Sequence, residues 1–408
     1  MWPTYDRYNT AVHQPESCFA DAALRASWPV RDRRGLPAPA TGAFGCVYHM
    51  NSWDRSYALK CFTREVLTSE WRYTEVSAYI RSHPCPYLVE CEYLVPRGIM
   101  VDGRWYPVLR MDWIEGQTLD QYLEHKSNDQ ALLATLAESW VGVMRALEER
   151  GIAHGDLQHG NILVCTTPDG PVFKLVDYDG MYVPSFKGEE GNEAGLRDYQ
   201  HPRRSGRDFN EYMDNFAALV IYLGLRALAL APDLWRYHTG ENLLFQRKDF
   251  DQPAESAVFA ALRQLPDPKF IALLDTFEAA CLDENPCSLP SLPSLVTGQP
   301  ALRPQVHPVP PTVKLAPPPA AAPAAAPDTT EAALAEMPVA CPNCGVLNRG
   351  IARYCRGCAL PLPYTALPGN APLPLVGVAA TKVRICPWCG LENQITDRWC
   401  LGCTALLD

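Results

Sequence analysis

The sequence contains no apolar run long enough to cross a bilayer. Its longest greasy stretch, Phe216 to Leu230, is interrupted by Arg226 and falls short of the roughly 20 apolar residues a crossing helix needs. A buried helix is expected there. The first residues, Met1 to Asp6, also lack the basic region and apolar core of a cleavable signal peptide, so a cytoplasmic location is expected. A disulfide framework is missing too. Of the 16 cysteines, half sit in paired Cys-x-x-Cys units and the rest are scattered singly, a usage that points to metal in a reducing compartment. Positive charge is not in excess either: 36 Lys and Arg stand against 46 Asp and Glu, a formal net charge of −10. Residues 341–408 carry +3 and residues 288–340 carry −1, which leaves −12 on residues 1–287. Four thiolates around a zinc add a formal −2 per site, so two filled sites turn the tail's +3 into −1. No basic footprint for nucleic acid remains.

A chain of 408 residues exceeds what one core supports, and its composition divides it. Residues 1–36 are a polar N-terminal extension without clear periodicity. From Pro37, short strand-like runs (Cys46 to His49, Ser56 to Phe62, Trp105 to Met111) enclose one helix-like segment, Thr74 to Ile80. After Gly116, apolar residues recur at helical spacing, among them Leu119, Leu123, Leu133, Leu136, Trp140, Met144 and Leu147. One folded domain is therefore expected over 37–287, a small sheet followed by a helical part. Residues 288–340 hold 13 Pro and 12 Ala, which predicts a disordered linker. An internal repeat closes the chain. Cys341-x2-Cys344-x10-Cys355-x2-Cys358 recurs 45 residues later as Cys386-x2-Cys389-x10-Cys400-x2-Cys403. Each Cys-x-x-Cys knuckle brings two thiolates to one side, and two knuckles complete a closed tetrahedral Zn2+ shell. Two small structural zinc ribbons are expected, at 341–362 and 383–408, joined by a linker at 363–382.

Within 37–287 the residues suggest phosphate chemistry. Ala40-Thr-Gly42-Ala-Phe44-Gly45-Cys-Val47 has the spacing of a glycine-rich loop with Ala40 for its first glycine, although such a pattern at a strand turn is in isolation more often a plain turn. Lys60, at the end of the run Tyr57-Ala58-Leu59-Lys60, is a strand lysine that needs an anion, phosphate or carboxylate. Farther on come His154-Gly155-Asp156-Leu157-Gln158-His159-Gly160-Asn161 and, after an apolar strand, Asp177-Tyr178-Asp179-Gly180.

Together these runs resemble the protein-kinase superfamily. The first is similar to its glycine-rich loop, the lysine run to Val-Ala-Ile-Lys, the third to the catalytic loop His-Arg-Asp-Leu-x-x-x-Asn, and the last to Asp-Phe-Gly. The resemblance implies an α+β, bilobal fold and an enzyme dependent on ATP and Mg2+. Gly42, Gly45, Val47, Ala58 and Lys60 would bind ATP, with Glu75 as the lysine's partner and Met111 and Trp113 as gatekeeper and hinge. Asp156 would orient the acceptor hydroxyl, and Asn161 and Asp177 would hold Mg2+. Gln200-His-Pro202 resembles the end of an activation segment, and Asp214 an aspartate that braces the catalytic loop. The pattern is broken by Gly155 for an arginine, Gln158 for a lysine and Asp179 for a glycine. With its tail, the chain resembles bacterial Ser/Thr kinase-like proteins carrying a double zinc ribbon. That implies phosphorylation of a protein, with the ribbons recruiting a partner or substrate and with neither nucleic acid nor membrane involved. A nucleotide-binding pseudokinase scaffold and a small-molecule phosphotransferase are the alternatives.

Overall fold

In a computed structural model, the described residues are 2–42, 45–64 and 69–299, with four short strands between 338 and 394. The chain divides into two compact units, Met1–Thr312 and Val313–Asp408. The first opens with helices α1 (Tyr5–Val12), α2 (Pro15–Cys18) and α3 (Ala22–Arg25). A sheet follows, built from β1 (Trp28–Pro29), β2 (Ala40–Thr41), β3 (Gly45–Asn51) and β4 (Ser56–Phe62), then, beyond α4 (Ser69–Ser82), from β5 (Cys91–Val101) and β6 (Arg104–Asp112). The order is β1-β3-β4-β6-β5 with β2 also on β3, and every pairing is antiparallel.

Register sets the two faces of this sheet. Val47 lies opposite Lys60, and Lys60 opposite Leu109; two residues along, Ala58 faces Met111. These side chains share one face because strand residues alternate. The opposite face carries Cys46, Tyr48, Met50, Leu59, Cys61 and Val108, which form a second core with Tyr8, Val12, Phe19 and Leu24 of the N-terminal segment. Residues 1–36 are thus part of this fold and not a polar extension. With both faces covered, β4 buries almost every residue and shows no alternation.

The helical part begins after β7 (Gln117–Thr118) with α5 (Leu119–Lys126) and α6 (Gln130–Glu148). Strands β8 (Ile162–Thr167) and β9 (Gly170–Leu175) form a three-stranded sheet with β7. Helix α7 (Asn215–Leu230) covers the expected greasy stretch and is buried over most of its length. It is followed by α8 (Arg247–Asp251), α9 (Ala257–Leu262), α10 (Pro268–Leu282) and α11 (Leu292–Thr297). The last of these lies inside the expected linker. Leu289 and Leu292 are buried, and the Asn215 amide donates to the Leu289 carbonyl at 2.7 Å, so the fold continues past Cys287. The architecture is α+β. Among the described residues, no helix is long and apolar enough to cross a membrane.

In the second unit, β10 (Pro338–Ala340) pairs with β11 (Leu347–Arg349), and β12 (Val383–Ile385) with β13 (Glu392–Gln394). The two hairpins have equivalent registers: Val339 opposes Asn348 in one, Arg384 opposes Asn393 in the other. Cys341 and Cys344 fall between the strands of the first, Cys386 and Cys389 between those of the second. All eight expected zinc ligands, with Cys355, Cys358, Cys400 and Cys403, lie outside the described residues.

Candidate active site

The loop between α6 and β8 carries a dense polar network. Asp214, buried at the N-terminus of α7, accepts from both His154 N and Gly155 N, the latter at 2.9 Å. His154 Nε2 donates to the Val176 carbonyl at 3.0 Å, which leaves Nδ1 to accept from Asp156 N at 3.4 Å. The Val176 N–H donates to the Asn161 carbonyl at 3.0 Å, so Asn161 is tied to the residue before Asp177. These bonds gather Asp156, Asn161 and Asp177 from separate segments into one cleft.

Asn161 donates through Nδ2 to the Asp156 carbonyl and to Asp156 Oδ2, both at 2.9 Å. Among the described residues its Oδ1 accepts no hydrogen bond, so it can coordinate a ligand. Asp156 Oδ1 accepts from Leu196 N at 2.7 Å. Burial raises the Asp156 carboxyl above its usual range, opposed by the Leu196 N–H, while the Asp177 charge adds to the rise. Gln158 folds back, its Oε1 accepting from Gly160 N at 2.7 Å. Gly155 is at φ +86°, and a Cβ there would collide with the Gly180 carbonyl, so no arginine fits at this position.

Lys60 reaches into the cleft from β4 and is 7% exposed. Its ammonium bonds Asp177 Oδ1 at 2.7 Å and Asp179 Oδ1 at 2.5 Å. Burial alone would lower its proton affinity, but the two carboxylates more than reverse that, and it is held charged. Asp177 lies in the left-handed region at φ +66°, a conformation that costs a non-glycine residue on the order of 1 kcal/mol or more. Burial raises its carboxyl too, yet Lys60 brings it below the usual range. Asp179 goes the other way. Burial and the neighbouring Asp177 charge push it up to about 6, against the lowering pull of Lys60 and of the Tyr73 hydroxyl that bonds it. Tyr178 packs edge-on to His154, and its hydroxyl accepts from Val89 N at 2.7 Å.

Lys60 is therefore not paired with Glu75. The buried face of α4 runs through Arg72, Tyr73, Val76, Ser77 and Ile80, and Glu75 falls off that stripe, half-buried. The residue that α4 sends to the site is Tyr73. On the roof of the cleft, a Cβ on Gly45 would collide with the Cys61 carbonyl, so that glycine is demanded by strand packing whatever else it does. Gly42 N donates to the Gly45 carbonyl at 2.9 Å, closing the turn around two undescribed residues. Val47, Ala58 and Met111 lie on the cleft-facing side of the sheet, and Trp113 stacks on His49 with centroids 3.8 Å apart.

The segment from 181 to 204 lies across this cleft. Arg72 of α4 sits over the rings of Phe186 and Phe209 and donates to the Glu190 carbonyl. Tyr199 holds His159 Nδ1 at 2.6 Å. Glu193 is pushed up to about 8, by burial first and then by Asp179, Asp156 and Asp177. No local pattern in the sequence marks Glu193, Tyr73 or the Leu196 N–H, because each is brought in from a distance. Asp179, by contrast, is visible as a second carboxylate two residues after Asp177.

Mg2+ commonly takes one or two protein ligands and completes its octahedron with phosphate oxygens and water. Asp177, whose side chain keeps 46% of its surface open, and Oδ1 of Asn161 suit that mode. Among the described residues, no group of three or more His, Cys, Asp or Glu side chains is arranged to hold a metal ion by itself. The sequence matches no protein-family model and no curated protein.

Proposed function

We propose that the first unit is a Mg-ATP-dependent phosphotransferase of the protein-kinase type, acting on Ser or Thr of a protein. The observation that carries this reading is the convergence of Lys60, Asp156, Asn161 and Asp177 in one cleft, with Asp214 bracing the loop between them. Each has a role in transfer. Lys60 is a fixed cation for the nucleotide phosphates, Asn161 and Asp177 are oxygen ligands for Mg2+, and Asp156 is the carboxylate that orients the attacking hydroxyl. Mg2+ and ATP supply the transferable phosphoryl group and neutralise the charge that develops on it. In the second unit, two zinc ribbons would recruit a partner or substrate, a reading supported by the hairpins that recur in equivalent register with the cysteine repeat.

A nucleotide-binding scaffold is the competing reading. It is favoured by one feature: position 158 holds a neutral glutamine, bonded to Gly160 N within its own loop, and so supplies no second cation for phosphates. Incubating the full-length protein with γ-labelled ATP and Mg2+, alone and with a Ser/Thr peptide library, separates the two. Label transferred by wild type and lost in Asp156→Asn is expected. Equal background in both, with Mg-ATP still bound, makes it a scaffold. Metal analysis of the same preparation is expected to give two zinc per chain, and fewer than one removes the ribbons.

A further inference from the structure

Two buried donors behind the catalytic loop lack a hydrogen-bond partner among the described residues, Gln200 Nε2 and Arg204 Nε. They belong to one arrangement. Arg204 Nη2 donates to the Gly155 carbonyl at 2.9 Å, and its Nη1 donates to Gln200 Oε1. Because Oε1 is taken, the Gln200 amide is oriented with Nε2 directed elsewhere. A Cβ built on Gly195 would lie 2.8 Å from both Gln200 Nε2 and Asp156 Oδ1 and 2.9 Å from the Gly155 carbonyl. Those three atoms therefore crowd the Gly195 backbone, which fits beside them only because residue 195 is a glycine at φ +75°. One of those atoms belongs to the carboxylate with an assigned part in orienting the acceptor. Gly155 can carry no side chain of its own, so the guanidinium beside this loop comes from Arg204.

Resting on the phosphotransferase reading, we propose that Arg204 is the positioning residue of the acceptor side. It holds the Gly155–Asp156 peptide in place and ties it to the Gln200 amide, so that the Asp156 carboxylate keeps its place against Leu196 N. A hydroxyl acceptor then donates to an Asp156 carboxylate held in a fixed orientation. Among the described residues, the side-chain hydrogen bonds of Arg204 go to Gly155 and Gln200 and not to Lys60 or Asp177.

The test uses the full chain carrying Arg204→Gln or Arg204→Lys, the Ser/Thr peptide library as acceptor, and hydrogen exchange of the 153–161 segment. A misplacement of this kind costs about 100-fold in turnover. Arg204→Gln is expected to lower kcat by roughly that factor while KM for Mg-ATP stays within about twofold. Arg204→Lys, which can keep the Gly155 bond but not both bonds, should recover part of the loss. Exchange at 153–161 should rise in Arg204→Gln more than in Arg204→Lys. If Arg204→Gln does not fold, Gln200→Ala takes its place, with kcat again reduced at unchanged Mg-ATP KM. Wild-type kcat in either variant, or a loss shared equally by kcat and Mg-ATP affinity, overturns the proposal. If wild type transfers no phosphate, the phosphotransferase reading fails, and unchanged exchange at 153–161 still overturns the positioning role.

Discussion

An ammonium as enclosed as Lys60 must be compensated, and the site does so with two carboxylates where one would suffice. Burial first, and then the surplus negative charge, raises the proton affinity of Asp179 and Glu193. Glu193 gives a stability signature whose sign can be worked out. Its carboxyl titrates near 4.5 when unperturbed and is pushed up to about 8 in the fold. Stability from the protonated form is thus fully present below pH 4.5 and is lost as pH rises through 8. Without metal or nucleotide, Glu193→Gln should melt as wild type does near pH 5 and higher at alkaline pH. A gain of about 1 kcal/mol corresponds to about 2–4 °C in a domain of this size, and an equal shift at both pH values in calorimetry would refute the assignment. Asp156 is tested differently. Asp156→Asn keeps the Asn161 and Leu196 contacts sterically possible but removes the charge that orients the acceptor, so turnover should fall by about 10²–10⁴-fold. Mg-ATP affinity by titration calorimetry should change by less than about twofold. Lys60, Asp156, Asn161 and Asp177 were legible in the sequence because each sits at fixed spacing within a local motif. That Glu75 does not partner Lys60 was not legible, because the phase of α4 decides it. That helix starts at Ser69 rather than Thr74 and turns Tyr73 inward.

Helices of eight, four and four residues leave no periodic trace, which is why residues 1–36 read as featureless. What they cover does leave one. The outer face of the sheet is as apolar as the inner, and an apolar sheet face left in water would be a liability. Tyr8 anchors the cover, with no exposed surface and its hydroxyl donating to the Phe62 carbonyl at 2.6 Å. Tyr5 adds a bond to the Gly42 carbonyl at 3.0 Å, so the same helix touches the glycine-rich turn. Tyr8→Ala should therefore destabilise the protein by about 3–5 kcal/mol, the range for removing a large buried ring. Tyr8→Phe keeps the ring and should lose only about 1 kcal/mol. Urea midpoints decide it: a loss below about 1 kcal/mol for Tyr8→Ala would mean the extension is loosely attached. The helices of the second half were more legible, because α6 and α7 are long and lie against one another in the core.

On the scale of the whole chain, composition misplaced the end of the first unit. Proline and alanine counted over 288–340 average a folded start with a tract of different character, and the average hides Leu289 and Leu292. Helix α11 is delimited in a familiar way, with Pro293 in its first turn and Gly298 in the left-handed conformation at its end. A chain cut after Cys287 loses both leucines and leaves the Asn215 amide without the Leu289 carbonyl. Burying a leucine is worth about 1.5–3 kcal/mol, and a buried donor left unsatisfied costs about 1–3 kcal/mol. Together these losses reach about 4–9 kcal/mol, comparable to the roughly 5–15 kcal/mol that holds an ordinary domain folded. The 1–287 chain should therefore be unfolded or nearly so at 37 °C, and rapidly degraded by protease. A 1–299 chain retains α11 and its contacts, so it should melt within a few degrees of the corresponding transition of the full protein and bind Mg-ATP with the same affinity. Melting curves and Mg-ATP titrations of the two truncations check this directly. Equal stability of 1–287 and 1–299 would show that α11 is dispensable and that the first unit ends where composition changes.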